Sequence, residues 1–287
     1  MFSPMSTLKS EDGPLAGVTV VSLAINLPGP AAAARLTALG ADVTTVLPPS
    51  GDPMQMFQPD WFAQLHAHQE LVSADLKTEE GLGVLHELLR EADLLVTSSR
   101  PSALARLGLD PQSLTSRHPH LCHVAIVGHP GDEAEVPGHD LTYQAVNGLL
   151  NPPAMPSTLI ADMAGSERAA QEGIAALLQR ERTGVASHRE VALSEVAETM
   201  AEPAKRGLTT PGAALGGGLG VYGLYETKDG WVALAALEPH FAQRAMTELE
   251  VDGTPAAFAR VFLTRTAEQW EHWAAEKDIP LAAVRTA

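Results

Sequence analysis

Residues 17–23 (GVTVVSL), followed by the break at 28–30 (PGP) and by 31–39, decide the fold. The first run is short, apolar and β-branched, which is typical of a buried strand. Residues 31–39 predict a helix that stops at Gly40, and residues 41–46 (ADVTTV) predict a second strand. A strand, a helix and a strand in this order predict the first unit of a parallel doubly wound sheet.

The same alternation continues along the chain and then changes. Further elements are predicted as helices at 79–91 and 166–182 and strands at 93–97, 123–127 and 190–193. Two later strands flank a turn at Asp229-Gly230, and helices follow at 239–249 and 267–277. We therefore predict an α/β fold, a Rossmann-like doubly wound parallel sheet with a smaller α+β domain. The predicted limits are 1–198 for the large domain, 199–220 for a Gly/Pro-rich linker and 221–287 for the small domain.

Composition excludes several classes of protein. The 287 residues carry a formal net charge of −16, which disfavours binding to nucleic acid or to anionic membranes. Cys122 is the single cysteine, so no intrachain disulfide is possible. No apolar run approaches the roughly 20 residues of a membrane span, and residues 1–14 lack the apolar core of a signal peptide. We expect a cytoplasmic protein.

Candidate acid–base residues lie at predicted turns or strand ends. They are the pair His139-Asp140, then Asp162, and then Glu238 in a Leu-Glu-Pro sequence. Loops at strand ends carry the chemistry of α/β folds. Each acid also has a plain interpretation. Asp140 could cap a helix from Leu141, Asp162 could cap one that begins near residue 164, and Glu238, before a proline, could be an acidic residue at a helix start.

Other motifs point less clearly to a site. His118, His120 and His123 surround Cys122 and have spacings seen in zinc sites, but His123 opens a predicted buried strand, so we expect no metal site. His66 and His68 alternate as if on one face of a strand, and we expect them on the surface. The glycines at 216–220 lack the Lys-Ser or Lys-Thr of a P-loop, and neither a G-x-G-x-x-G nor a G-x-S-x-G motif indicates NAD binding or a serine hydrolase.

Several segments, in order, resemble the family III CoA-transferases (CaiB/BaiF), which include the α-methylacyl-CoA racemases. The resemblance covers the chain from about residue 13 onward. It rests on the order of the set, since each motif alone is common. The matching segments are 14–20 (PLAGVTV), 28–30 with 39–43 (PGP, LGADV), 75–81 (DLKTEEG), 100–101 with 107–109 (RP, LGL), 138–140 with 144–149 (GHD, QAVNGL), 181–184 (ERTG) and 225–241.

The resemblance implies roles for the acid–base residues. Racemases of the family carry G-H-D and use the histidine with a later aspartate as two bases flanking the α-carbon, here His139 and Asp162, with Glu238 beside the histidine. The enolate oxygen would receive hydrogen bonds from backbone N–H groups at the helix start after Asp162. Transferases of the family use the central aspartate, here Asp140, as a nucleophile that forms acyl intermediates.

The resemblance also implies that coenzyme A binds as part of the substrate and that no cofactor is held permanently. The basic stretch that usually precedes D-L-K-T is replaced here by residues 67–73 (AHQELVS), which leaves Arg100, Lys77 and Arg106 as the candidate cations for CoA. Family members form interlocked homodimers, and we expect a homodimer here. The sequence stops at Ala287, about where family members return to the large domain, so the degree of interlocking stays open.

Three hypotheses follow. The first is an acyl-CoA racemase or epimerase that acts on a 2-methylacyl-CoA through His139 and Asp162. The second is CoA transfer between carboxylic acids through an acyl intermediate on Asp140. The third is a non-catalytic family member that serves in binding or assembly, as the missing basic residues suggest.

Overall fold

The structure, a computed structural model, describes residues 12–285. Most of the 1–14 stretch judged for a signal peptide therefore lies outside the described residues, as do residues 286–287. The described part forms two compact units, one that ends at Met200 and one that begins at Ala201. The stretch predicted as a linker falls across this division. It contains a short helix and a tight glycine-rich turn at Ala214–Gly218.

Strands and helices alternate through most of the first unit. The strands are β1 (Thr19–Ser22), β2 (Asp42–Leu47), β3 (Glu70–Ser73), β4 (Leu94–Thr97), β5 (Cys122–Val127), β6 (His188–Ala192), β7 (Tyr222–Glu226), β8 (Trp231–Ala235) and β9 (Leu281–Ala283). The helices are α1 (Pro28–Ala38), α2 (Met54–Phe57), α3 (Pro59–Leu65), α4 (Glu79–Glu91), α5 (Pro101–Arg106), α6 (Pro111–Arg117), α7 (Asp140–Val146), α8 (Ile160–Thr183), α9 (Leu193–Met200), α10 (Glu202–Lys205), α11 (Pro239–Leu249), α12 (Pro255–Phe262) and α13 (Ala267–Glu276). The first unit contains β1–β6 and α1–α9, with a 3-10 turn at Gly131–Glu135, and the second unit contains β7–β9 and α10–α13.

The first unit contains a six-stranded parallel sheet in the order β3-β2-β1-β4-β5-β6. One apolar core lies between the sheet and helices α1 and α8, and a second lies under α4, α5 and α6. Strand β4 is buried at every position, as a central parallel strand covered on both faces must be. The predicted doubly wound α/β fold is confirmed.

The second unit has an antiparallel sheet in the order β7-β8-β9. Its core is aromatic: Tyr225, Phe258, Phe262 and Trp270 are all buried. The Trp270 indole N–H donates to the Phe262 carbonyl at 2.8 Å, which satisfies the one polar atom of that buried ring. Within residues 12–285, no helix combines the length and the apolarity needed to cross a bilayer.

Two predicted boundaries in the first unit are wrong. The helix predicted from residue 166 begins at Ile160, so Asp162 lies inside its first turn. The strand predicted at 190–193 is β6, and the chain enters α9 at Leu193. In both cases the backbone bonds to partners distant in sequence, which local propensity does not encode.

Candidate active site

A cavity of about 370 Å³ opens where the sheet order changes direction, at the carboxyl ends of β1 and β4. In doubly wound folds this switch point is where ligands bind, because the helices after these two strands run to opposite faces and leave a crevice. The cavity is lined by parts of five segments, 25–28, 53–57, 98–100, 126–128 and 134–143, together with Asp162 and Leu193.

His139 lies at this cavity and is exposed. It precedes α7, and its backbone N–H donates to the Thr142 hydroxyl at 3.0 Å. The neighbouring glycine is a steric requirement: a Cβ on Gly138 would lie 2.5 Å from Cε1 of the buried Tyr143 ring. The Gly-His sequence therefore lets the chain pass close to Tyr143 and present the imidazole at the cavity.

Asp140 is the first residue of α7, and its carboxyl group is fully engaged elsewhere. Oδ2 accepts the backbone N–H groups of Ala161 at 2.7 Å and Asp162 at 3.0 Å. Oδ1 accepts the side-chain amide of Gln144. The residue is 3 % exposed. The expectation that Asp140 caps its own helix is wrong, because its carboxylate caps α8, whose first N–H groups have no intrahelical partner.

Asp162 also lines the cavity, from the first turn of α8. Burial, and then the nearby Asp140, raise the pKa of its carboxyl from 3.8 to about 7. Among residues 12–285 we find no hydrogen bond to this carboxyl group. The plain interpretation of Asp162 as the cap of its own helix is wrong, because the residue lies inside that helix and Asp140 supplies the cap.

The amides expected to hold an enolate are already bonded. The N–H groups of Ala161 and Asp162 donate to Asp140, and the N–H of Met163 donates to the Leu159 carbonyl at 2.9 Å. The expectation that N–H groups after Asp162 are free is therefore wrong, because the helix begins earlier than predicted.

Together the cavity offers an exposed imidazole and a carboxyl group that holds its proton to near neutral pH. Histidine is the side chain that most often acts as a general acid or base in enzymes. Two such groups in one cavity can serve as a general acid and a general base.

The candidate cations lie at two neighbouring cavities. Arg100 lines the cavity of His139 and Asp162, whereas Lys77 and Arg106 line a cavity of about 700 Å³ beneath the ends of β1 and β2. Ile25 contributes to the walls of both. All three side chains belong to exposed residues, which leaves them accessible to a phosphate.

Two acidic residues of this region were missed by the sequence analysis. Asp52, 2 % exposed, accepts the backbone N–H of Asn26 at 3.0 Å and holds that residue at a positive φ of 70° in the cavity wall. Glu135 accepts the N–H and the hydroxyl of Ser102, at 2.7 and 2.9 Å. An Asp directly before a proline, as in Asp52-Pro53, is a turn signal that could have indicated the first.

Glu238 lies in the second unit, where it is exposed and immediately precedes α11. This position agrees with the plain interpretation of an acidic residue at a helix start, although its side chain makes no capping hydrogen bond to that helix. Its association with His139 stays a prediction.

The other histidines do not gather around a common point. His118 pairs with His86, whereas His123 is buried between Thr97 and His188. Within the described residues, no three His, Cys, Asp or Glu side chains converge as metal ligands. The expectation of a strand at His66 and His68 is wrong: His66 ends α3 and is buried, because its ring packs on Phe62 with centroids 4.1 Å apart.

Comparison with known sequences shows which protein family this chain belongs to. The profile of CoA-transferase family III matches residues 15–287. This chain belongs to CoA-transferase family III. The family prediction is therefore confirmed, and the named members that the chain matches are enzymes, both CoA-transferases and acyl-CoA racemases.

Two family III relatives illustrate the range of activities. Human alpha-methylacyl-CoA racemase is 28 % identical over 292 aligned positions, which cover 89 % of this chain and 74 % of the racemase. A probable fatty acyl-CoA transferase of Mycobacterium tuberculosis is 31 % identical over 202 residues, 64 % of this chain and 51 % of the transferase. The match thus spans about half the length of that transferase. A crystal structure of a CaiB/BaiF family protein from Brucella suis has a TM-score of 0.80 at 24 % identity, over 96 % of this chain and 84 % of that one, and shares the fold.

Proposed function

We propose that this family III protein inverts the α-carbon of a 2-methylacyl-CoA by proton transfer between His139 and Asp162. The observation that carries the proposal is that both side chains line one cavity at the switch point of the sheet. One base removes the α-proton, and the electron pair moves onto the thioester oxygen as an enolate. The other group, as its acid, returns a proton to the opposite face.

The ionisation of Asp162 supports this role. A carboxyl group with a pKa of about 7 is a stronger base than an ordinary aspartate and still a usable acid near neutral pH. Glu238 is proposed to orient the His139 imidazole and set its tautomer, as the family resemblance implies. Removing Glu238 is expected to lower turnover without abolishing it.

Coenzyme A is proposed to bind as part of the substrate, with no permanently held cofactor. The cavity lined by Lys77 and Arg106 is large enough for a small organic group and adjoins the cavity of His139. Lys77 and Arg106 are proposed to hold phosphates of the nucleotide end, with Arg100 nearer the thioester. We further propose that the protein acts as a homodimer, which light scattering on the purified chain tests.

The deciding experiment follows loss of the α-proton NMR signal of a 2-methylacyl-CoA in D₂O. We expect wild-type protein to exchange the proton and His139→Ala to lose at least about 100-fold of that rate, the usual contribution of a positioned acid–base group. His120→Ala is the matched control, because His120 is exposed in the same unit but does not line the cavity. Equal rates in His139→Ala and wild type would refute the assignment.

A second candidate function is CoA transfer between carboxylic acids. Relatives named as transferases support it, including a succinate–glutarate CoA-transferase of Agrobacterium fabrum at 30 % identity over 215 residues. The family resemblance implies that Asp140 is the nucleophile, whereas Asp162 is the carboxyl group that lines the cavity with no hydrogen-bond donor among the described residues. Trapping of an acyl adduct with hydroxylamine, in a protein that does not exchange the α-proton, would favour transfer. Absence of CoA binding in calorimetry would favour the non-catalytic alternative.

A further inference from the structure

A buried amide connects the two helices that carry the candidate site. Gln144, on α7, is 3 % exposed. Its Nε2 donates to Oδ1 of Asp140 and to the carbonyl oxygen of Thr158, the latter at 3.2 Å. Thr158 lies two residues before the start of α8. One side chain therefore joins the first turn of α7 to the segment that enters α8.

Asp140 extends this connection to the candidate catalytic residue. Its second oxygen accepts the N–H of Ala161 and the N–H of Asp162 itself. These amides belong to the first turn of α8, which has no other side-chain cap. The chain of bonds from Gln144 through Asp140 therefore ends on the backbone of Asp162.

We propose that Gln144 is a positioning residue that holds the Asp140 carboxylate against the start of α8 and thereby fixes the carboxyl group of Asp162 at the cavity. This inference rests on the function proposed above, and its test separates the two. Gln144 does not line the cavity, so it acts through Asp140 and not on a substrate.

The amide is suited to this task because it donates two bonds and carries no charge. A methionine of similar length removes both donors and leaves one oxygen of Asp140 buried without a partner. A glutamic acid donates a hydrogen bond to Asp140 only while it is protonated, and repels it once ionised. The two substitutions therefore predict different dependences on pH.

The kinetic test compares Gln144→Met and Gln144→Glu with wild type in the D₂O exchange assay. We expect kcat of Gln144→Met to fall by about 10- to 100-fold at every pH with KM unchanged, as for a small displacement of a reacting group. Gln144→Glu should approach wild-type kcat near pH 5 and fall away as pH rises. Gln171→Met, at an exposed position of α8, is the matched control and should keep wild-type kcat. Wild-type kcat in Gln144→Met, or the same deficit in Gln144→Glu at all pH values, would overturn the proposal.

A second readout needs no turnover. In a carbon-13 NMR titration of the Asp162 carboxyl, Gln144→Met should move its ionisation to higher pH by at least about half a unit, because the neighbouring Asp140 charge, which already raises the pKa of Asp162, loses a hydrogen-bond donor. An unchanged titration would overturn the positioning role even if the protein exchanged no α-proton. If wild type shows no exchange but the titration moves, the proposed function fails and the positioning role stands.

Discussion

The start of α8 and the β5–β6 edge of the parallel sheet each shield a titratable group from water, the half-buried Asp162 and the buried His123, with opposite consequences. Burial raises the pKa of Asp162 to about 7, and burial lowers that of His123 to about 3. His123 has both ring nitrogens engaged, 2.9 Å from the Thr97 hydroxyl and 3.0 Å from His188 Nδ1. Asp162 lines a cavity, and its carboxyl group has no hydrogen-bond partner in the part of the chain that the structure describes. A shifted pKa therefore indicates a functional site only where the group is also left free to bind a substrate.

The two groups give opposite dependences of stability on pH. Between pH 3.8 and about 7 the folded chain holds a proton on Asp162 that the unfolded chain has lost, so this residue makes stability fall as pH rises. Between about 3 and 6.5 the unfolded chain binds a proton that folded His123 does not, so His123 makes stability fall as pH falls.

The largest expected effect is that of Asp162→Asn on turnover. The exchange rate should fall by about 1,000-fold, because the substituted side chain exchanges no proton. Above pH 7 the same change should raise the free energy of unfolding by roughly 2–4 kcal/mol, since a half-buried charge is removed, and the gain should vanish near pH 4. Urea unfolding at both pH values measures this.

Asp60→Asn is the matched control, because Asp60 is exposed in the first turn of α3. It should leave both the exchange rate and the stability as in wild type. If Asp162→Asn lowered the free energy of unfolding above pH 7, the ionised Asp162 carboxyl would stabilise the fold, which contradicts a raised pKa.

A smaller effect is expected at the β5–β6 edge. His123→Leu should lower the free energy of unfolding by about 1–3 kcal/mol at pH 8, because the Thr97 hydroxyl is left buried without a partner. The variant should lose less stability than wild type between pH 6.5 and 4.5, and kcat should be unchanged. Thermal unfolding scans at pH 8 and between pH 6.5 and 4.5 measure the loss of stability and its dependence on pH.

The double variant with Thr97→Val is the informative companion. Removing both polar partners should recover most of the lost stability, because no unsatisfied group then remains. A loss of kcat in His123→Leu would mean that the β5–β6 edge belongs to the active site after all.

The smallest predicted effect concerns an exposed charge, the carboxylate of Glu135, on the affinity for CoA. The pKa of Glu135 is lowered mainly by the Ser102 N–H, and also by Arg100 and Arg106. If these arginines hold a phosphate of CoA, as proposed above, the Glu135 carboxylate competes with it. Glu135→Gln should strengthen CoA binding by about two- to threefold at low salt and by less at high salt, because exposed charges are screened. Calorimetry at two salt concentrations measures it.

Glu133→Gln, in the same 3-10 turn, is the control and should bind CoA as wild type does. An increase in affinity that is independent of salt would show that the effect of Glu135 does not come from its charge.

Much of the fold could be predicted from local pattern. The bounds of α4 and α11 agree with the predicted helices, and the first strand-helix-strand unit lies where residues 17–46 indicate. The start of α8 could not be predicted, because Leu159 precedes it without a capping side chain and the cap comes from Asp140, 21 residues from Ala161. Strand β3 also escaped prediction, since its Glu-Leu-Val-Ser sequence carries little hydrophobic signal.

Local patterns were enough to predict the parallel α/β architecture, the family and the acid–base candidates, because periodicity, turn residues and ordered motifs can be recognised without knowing any long-range contact. The contacts and the exposure of each candidate residue depend on the tertiary structure. The Asp140 carboxylate accepts three hydrogen bonds, whereas the Asp162 carboxyl lines the cavity of His139 with no donor among the described residues. His123 is buried in the sheet and contacts the Thr97 hydroxyl. Burial and hydrogen-bond partners come from residues distant in sequence, and they set the proton affinity and accessibility on which chemistry depends.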